Sequence, residues 1–236
     1  MDMIRKIGIL VADDQEFHPL RERICQGEYR EETVLGRPLL RFPVKGETGQ
    51  VEGLAFLCGV GKVNAAAGAM MLIDLGCECL LNYGLSGGIS GISRGEICLC
   101  DRFLEHDFDL TALGYRPCEK PGQTYLYRAD EALLTLFRDM MPGVKEGTAV
   151  TGDCFVSDAE KRDFLKHEFG AMSCDMETAV IASVCFASHV PFAAIRRISD
   201  DAGEAAVETY REMNRVHELH LYDWILRAAV ALADQR

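Results

Sequence analysis

Basic residues are the minority in this chain. Among 236 residues, 25 Lys and Arg face 37 Asp and Glu, a formal net charge of −12. A surface of that sign repels phosphate backbones and anionic headgroups, so neither a nucleic-acid nor a membrane partner is expected. No apolar run approaches the roughly 20 residues of a membrane-spanning helix. No leader-like segment is read ahead of Ile4, and a reducing compartment, the cytoplasm, is expected. The 10 cysteines include no Cys-x-x-Cys pair, and the histidines are read as lacking a ligand spacing, so no metal is expected. Instead the cysteines sit in apolar runs such as Cys77-Glu78-Cys79-Leu80-Leu81, as buried thiols do. Linkers, repeats and low-complexity stretches are missing too, which makes residues 1–236 one domain.

What is present is a core. Hydrophobic residues make up 48% of the chain. Short apolar runs at Ile7–Ala12, Leu54–Cys58, Leu80–Tyr83, Ile97–Cys100, Thr148–Thr151, Ala171–Cys174 and Phe192–Ile198 read as strands. Helical patterns lie between them: Phe17, Leu20 and Ile24; an Ala-rich stretch from Val63 to Leu75; Leu133–Met141; Asp158–Phe169; Glu177–Ser188; and a final helix from about Ala205 to Ala233. Strands alternating with helices predict an α/β layer structure with a largely parallel sheet. Ligands of such folds bind at the carboxyl ends of the strands. The unusual polar residues fall there: Asp13 to Glu16, Gly84 to Gly88, Asp153, Asp175 to Glu177, and Ser199 to Asp201.

Several motifs admit plain readings. Gly59-Val60-Gly61-Lys62 lacks the spacing of a phosphate loop and has Val63 where Ser or Thr is needed; it reads as a tight strand-to-helix turn. Gly84-Leu85-Ser86-Gly87-Gly88 matches the nucleophile-elbow pattern, and His217 and His220 follow Asp200 in triad order. The helix an elbow requires is absent from the Gly-rich residues that follow, so a backbone floor under a flat ligand fits better. Asp13 and Glu16 have capping-box spacing, which leaves Glu16 with two readings, structural cap or catalytic carboxylate. Asp175-Met176-Glu177 and Asp200-Asp201 equally suit helix starts and turns.

Taken in order, Lys6-Ile7-Gly8-Ile9 through Glu16, Gly59-Val60-Gly61-Lys62-Val63-Asn64-Ala65-Ala66, His106-Asp107 through Tyr115, Thr151-Gly152-Asp153-Cys154-Phe155, Asp175-Met176-Glu177-Thr178-Ala179 and Arg196-Arg197-Ile198-Ser199-Asp200 resemble one family. It is that of the 5′-methylthioadenosine/S-adenosylhomocysteine nucleosidases, within the purine and uridine phosphorylase superfamily. The resemblance implies a single-domain three-layer α/β/α sandwich around a central twisted mixed sheet. It also implies a homodimer that hydrolyses 5′-substituted adenosines without a cofactor. On the same basis Asp200 is the general acid that protonates the purine, and Glu16 activates water. Glu177 and the Met176 backbone hold the ribose, Phe155 stacks on the base, and the Val156 backbone reads its edge. Arg196 is expected to fix the carboxylate of Glu16 or Glu177, and Leu113 and Pro121 to reach the partner's 5′ pocket. The phosphorylase branch has an Arg just before its Gly-rich loop. Here that stretch is Leu81-Asn82-Tyr83-Gly84, which favours water over phosphate. A phosphorylase and a non-catalytic nucleoside-binding protein are the alternatives. Three positions depart from the family pattern: Leu85 where Ser is usual, Asp13 where Met is usual, and Leu113 where Phe is usual.

Overall fold

The computed structural model describes residues 4–215 and 221–234. Strand β1 (Lys6–Val11) is buried on both faces, which is why its apolar residues run on without alternation. Ile7, Ile9 and Val11 pack on one side of the sheet with Phe17, Leu20 and Ile24 of α1 (Asp14–Ile24) and with Ile225, Ala228 and Leu232 of α7 (Leu221–Asp234). Leu10 packs on the other side, against Ala65, Ala69 and Leu72 of α2 (Lys62–Asp74) and with Ile181 and Cys185 of α5 (Thr178–Ala187). These are the three layers. Burying a side chain of this size contributes about 1.5–3 kcal/mol.

The sheet runs β10 (Phe192–Asp200), β6 (Ile97–Glu105), β8 (Lys145–Thr151), β9 (Ala171–Asp175), β5 (Cys79–Gly88), β1, β4 (Gln50–Leu57), β3 (Arg37–Lys45), β2 (Arg30–Val34). It is mixed rather than largely parallel: β1 lies parallel to β4 and β5, but β3 is antiparallel to β4 and β10 to β6. In addition β10 pairs in parallel with β5, from Phe192 opposite Leu80 to Asp200 opposite Gly87. Because β9 also pairs with β5, at Gly87 and Gly88, the strands β5, β10, β6, β8 and β9 close into a ring. Short strand β7 (Tyr127–Arg128) extends β6.

Two expectations need correction. Strands β2 and β3 were not anticipated; Pro38 and Pro43 interrupt the β3 signal and the exposed β2 is almost wholly polar. The strand read as ending at Tyr83 runs on, so that Gly84 to Gly88 are the second half of β5. The final helix is described as α6 (Ala206–Arg215) and α7, with residues 216–220, and so His217 and His220, outside the described residues. Helices α3 (Glu131–Met140) and α4 (Ala159–Phe169) fall where expected, capped by Asp130 and Asp158. The connection between β6 and β7 carries only a 3₁₀ turn at Thr111–Leu113. Among the described residues, no helix is long and apolar enough to cross a membrane.

Candidate active site

The carboxyl ends of β1, β5, β9 and β10 meet at one cleft, bounded outside by α1 and α6. Asp13 opens α1 as its N-cap, with extended backbone and Oδ1 accepting the Gln15 N–H at 2.8 Å. Asp13 therefore caps, but Glu16 does not complete a capping box. The Glu16 carboxylate turns to β5, where Oε1 accepts the Leu85 N–H at 2.6 Å. The Tyr83 hydroxyl donates to the Glu16 carbonyl at 2.9 Å and pins the turn. Gly84 is needed here, because a Cβ at that position would lie 2.9 Å from Glu16 Oε2. Glu16 is 7% exposed, and burial pushes its pKa up to about 8; the Leu85 N–H and Arg196 oppose the rise, while Asp13 and Glu177 add to it.

Asp200 ends β10, 2% exposed. Its Oδ2 accepts the Ser199 hydroxyl at 2.6 Å and its Oδ1 the Ala202 N–H at 2.9 Å. Burial raises its pKa above the ordinary carboxylate value even against those two donors. Glu177 precedes α5. Its Oε1 accepts the N–H of Gly61, a residue held at φ +97° in the turn before α2. The Gly59–Gly61 turn is thus a strand-to-helix turn that also presents one N–H to the cleft. Burial, with Asp175 beside it, pushes Glu177 up to about 7.

Arg196 is a correction. It pairs with neither Glu16 nor Glu177 but with Asp175, Nε to Oδ2 at 3.0 Å, both side chains 2% exposed. Its Nη2 also donates to Asn82 Oδ1 and Thr178 Oγ1. Asp175 takes further bonds from the Thr151 hydroxyl, the Thr178 hydroxyl and the N–H groups of Glu177 and Thr178. Burial alone would raise Asp175, but Arg196 and these donors outweigh it and hold it ionised below the usual carboxylate range. Arg196 lies beneath the cleft rather than in its lining. It braces the segment that carries Met176 and Glu177. Asp175 was singled out at a strand end but not as the partner of Arg196, and Asn82 was missed; the apolar run around Asn82 was the available signal, since a polar residue inside a buried strand needs a partner.

Phe155, Val156, Met176 and Leu85 all line the cleft with Glu16, Glu177 and Asp200. Phe155 is 44% exposed, with its ring edge-on to Tyr210 at 5.5 Å between centroids. Tyr210, from α6, was not anticipated. Burial and the carboxylates of Asp13, Glu16, Glu177 and Asp200 raise its hydroxyl pKa, so it stays neutral. Within this chain Leu113 and Pro121 do not join the cleft; both stand on the surface, Leu113 at 72% exposure. Ser86 is no nucleophile elbow. It sits within β5, 4% exposed, with Oγ donating to the Cys174 carbonyl at 2.9 Å. Among the described residues, no group of three or more His, Cys, Asp or Glu is placed to hold a metal ion.

Comparison with known proteins places the chain in a family. The family model of the phosphorylase superfamily matches residues 6–221. A 5′-methylthioadenosine/S-adenosylhomocysteine nucleosidase from an Exiguobacterium species is 34% identical over 215 residues, 88% of this chain and 90% of that protein. The chain belongs to the 5′-methylthioadenosine/S-adenosylhomocysteine nucleosidase family. An S-adenosylhomocysteine nucleosidase from Streptococcus pyogenes, solved with 5-methylthiotubericidin, superimposes with a TM-score of 0.86 at 26% identity, covering 98% of each chain. Futalosine hydrolase of Helicobacter pylori has the same fold at a TM-score of 0.86 and 24% identity, with both chains fully covered. Membership of the nucleosidase family therefore leaves the group on the 5′ carbon to be argued from the cleft itself.

Proposed function

We propose that the protein hydrolyses the N-glycosidic bond of a 5′-substituted adenosine and releases adenine. The observation that carries this reading is one cleft lined by Glu16, Glu177 and Asp200, all with raised pKa values and all beside a Phe155 platform. Breaking this bond requires a protonated leaving base and tolerance of positive charge on the ribose. Asp200, buried and raised, supplies the proton to the purine nitrogen. Glu16 orients water and takes its proton as the ring carbon is attacked. Glu177 and the Met176 backbone hold the ribose hydroxyls and place negative charge next to the developing cation. Phe155 covers one face of the base and Val156 its edge.

Water rather than phosphate is the nucleophile in this reading. Among the described residues, no Lys, Arg or His lines the cleft, and the Arg196 guanidinium beneath it is committed to Asp175, Asn82 and Thr178. Incubation with methylthioadenosine, S-adenosylhomocysteine and 5′-deoxyadenosine in phosphate-free buffer should release adenine and free sugar. Dependence on phosphate, with a sugar 1-phosphate as the main product, would overturn the hydrolytic assignment. We also infer a homodimer. Val63, Met70 and Leu113 are large apolar side chains left 80%, 48% and 72% exposed. Light scattering should give about twice the 26.2 kDa chain mass.

A further inference from the structure

We propose that Asp13 selects substrates by the charge of their 5′ substituent, favouring a cationic tail and rejecting an anionic one. The proposal rests on the nucleosidase reading. With the base at Phe155, Val156 and Asp200, and the ribose at Met176 and Glu177, the lining residues left over include Asp13, Val60 and Tyr210. The proposal places the 5′ group against these residues. Asp13 stands one helical turn before Glu16 on the same face of α1, and unlike Glu16 it is half-exposed, at the mouth.

Its capping bond uses Oδ1 as an acceptor from a neutral N–H. Among the described residues, the lining holds five carboxyl groups and no basic side chain: Asp13, Glu16, Asp175, Glu177 and Asp200. Asp175 is neutralised by Arg196 from below. Burial raises the pKa of Glu16 to about 8 and of Glu177 to about 7, and it raises that of Asp200 as well. Of these five carboxyl groups Asp13 is the half-exposed one, while the other four are buried. An ammonium on the tail would supply a counter-ion, and a tail carboxylate would meet like charge in a partly desolvated wall.

Helix capping and charge can be separated. Asn caps as well as Asp, so Asp13→Asn keeps the α1 start and removes the charge. Three adenosines with matched thioether tails, ending in methyl, aminoethyl and carboxymethyl, give neutral, cationic and anionic probes. For each, kcat/KM and Kd would be measured with wild type and Asp13→Asn. The wild type should rank them cation, neutral, anion, and the cation-to-anion ratio should fall roughly five- to fiftyfold in the variant. A ratio unmoved by the substitution, or a wild type that prefers the carboxymethyl tail, overturns the proposal. If none of the three releases adenine, the nucleosidase reading has failed, and the ratio of Kd values still decides the charge selectivity of the cleft.

Discussion

Replacing Glu16 with Gln should make the protein more stable at alkaline pH, and the gain can be worked out from its surroundings. The folded protein raises Glu16 from 4.5 to about 8, chiefly by burial. Each pKa unit corresponds to about 1.36 kcal/mol, so the folded state prefers the protonated acid by about 5 kcal/mol. The folded chain keeps a proton that the unfolded chain releases above 4.5. The associated stability is present in full below that value and is lost as pH rises through about 8. Gln has the shape of the protonated acid and its amide oxygen accepts the Leu85 N–H, but it never ionises. The stability gap between Glu16→Gln and wild type should therefore widen by about 5 kcal/mol between acid and alkaline pH. Urea unfolding of both proteins at about pH 5 and about pH 9 measures it. A gap that stays flat to within about 1 kcal/mol would show that Glu16 ionises freely where it stands, and the burial argument would fail. The same substitution should abolish most hydrolysis, because the water loses its base. In the wild type, kcat/KM should pass through a maximum with pH, because turnover needs Glu16 ionised and Asp200 protonated and burial raises both groups.

Asp200→Asn should reduce turnover by about a hundredfold to ten-thousandfold while nucleoside binding, followed by calorimetry, persists; near-normal kcat would make Asp200 a turn residue only. Gly84→Ala puts a Cβ 2.9 Å from Glu16 Oε2, and the carboxylate must swing aside. Activity should drop roughly tenfold or more with little change in melting temperature, and equal losses of both would refute a positioning effect. Arg196→Met strands the Asp175 charge in the core, at a cost of about 3–5 kcal/mol. Scanning calorimetry should show Tm lower by roughly 10 °C, and a shift under about 2 °C would mean the pair is not the brace described above.

The sequence by itself determined the layered α/β plan and where function concentrates. Apolar runs and helical periods mark most elements, because burial on both faces of a sheet leaves a local record at β1, β5 and β10. The strand-end acids Glu16, Glu177 and Asp200 were legible on the same principle, and all three line one cleft. Asp13 was legible as a cap, since capping is settled within two residues. What only the tertiary structure decided are pairings between distant segments. Glu16 had two readings until a bond to Leu85, 69 residues away, set its direction. Arg196 joined Asp175 and Asn82 rather than Glu16 or Glu177, and Tyr210 arrived on α6 against Phe155. The ring closed by β10 and β9 on β5 leaves no periodic signature, because one strand can satisfy either neighbour with the same side-chain pattern. The raised pKa values likewise belong to no residue alone. They follow from desolvation by the whole cleft wall, which exists only when segments from both halves of the chain have packed together.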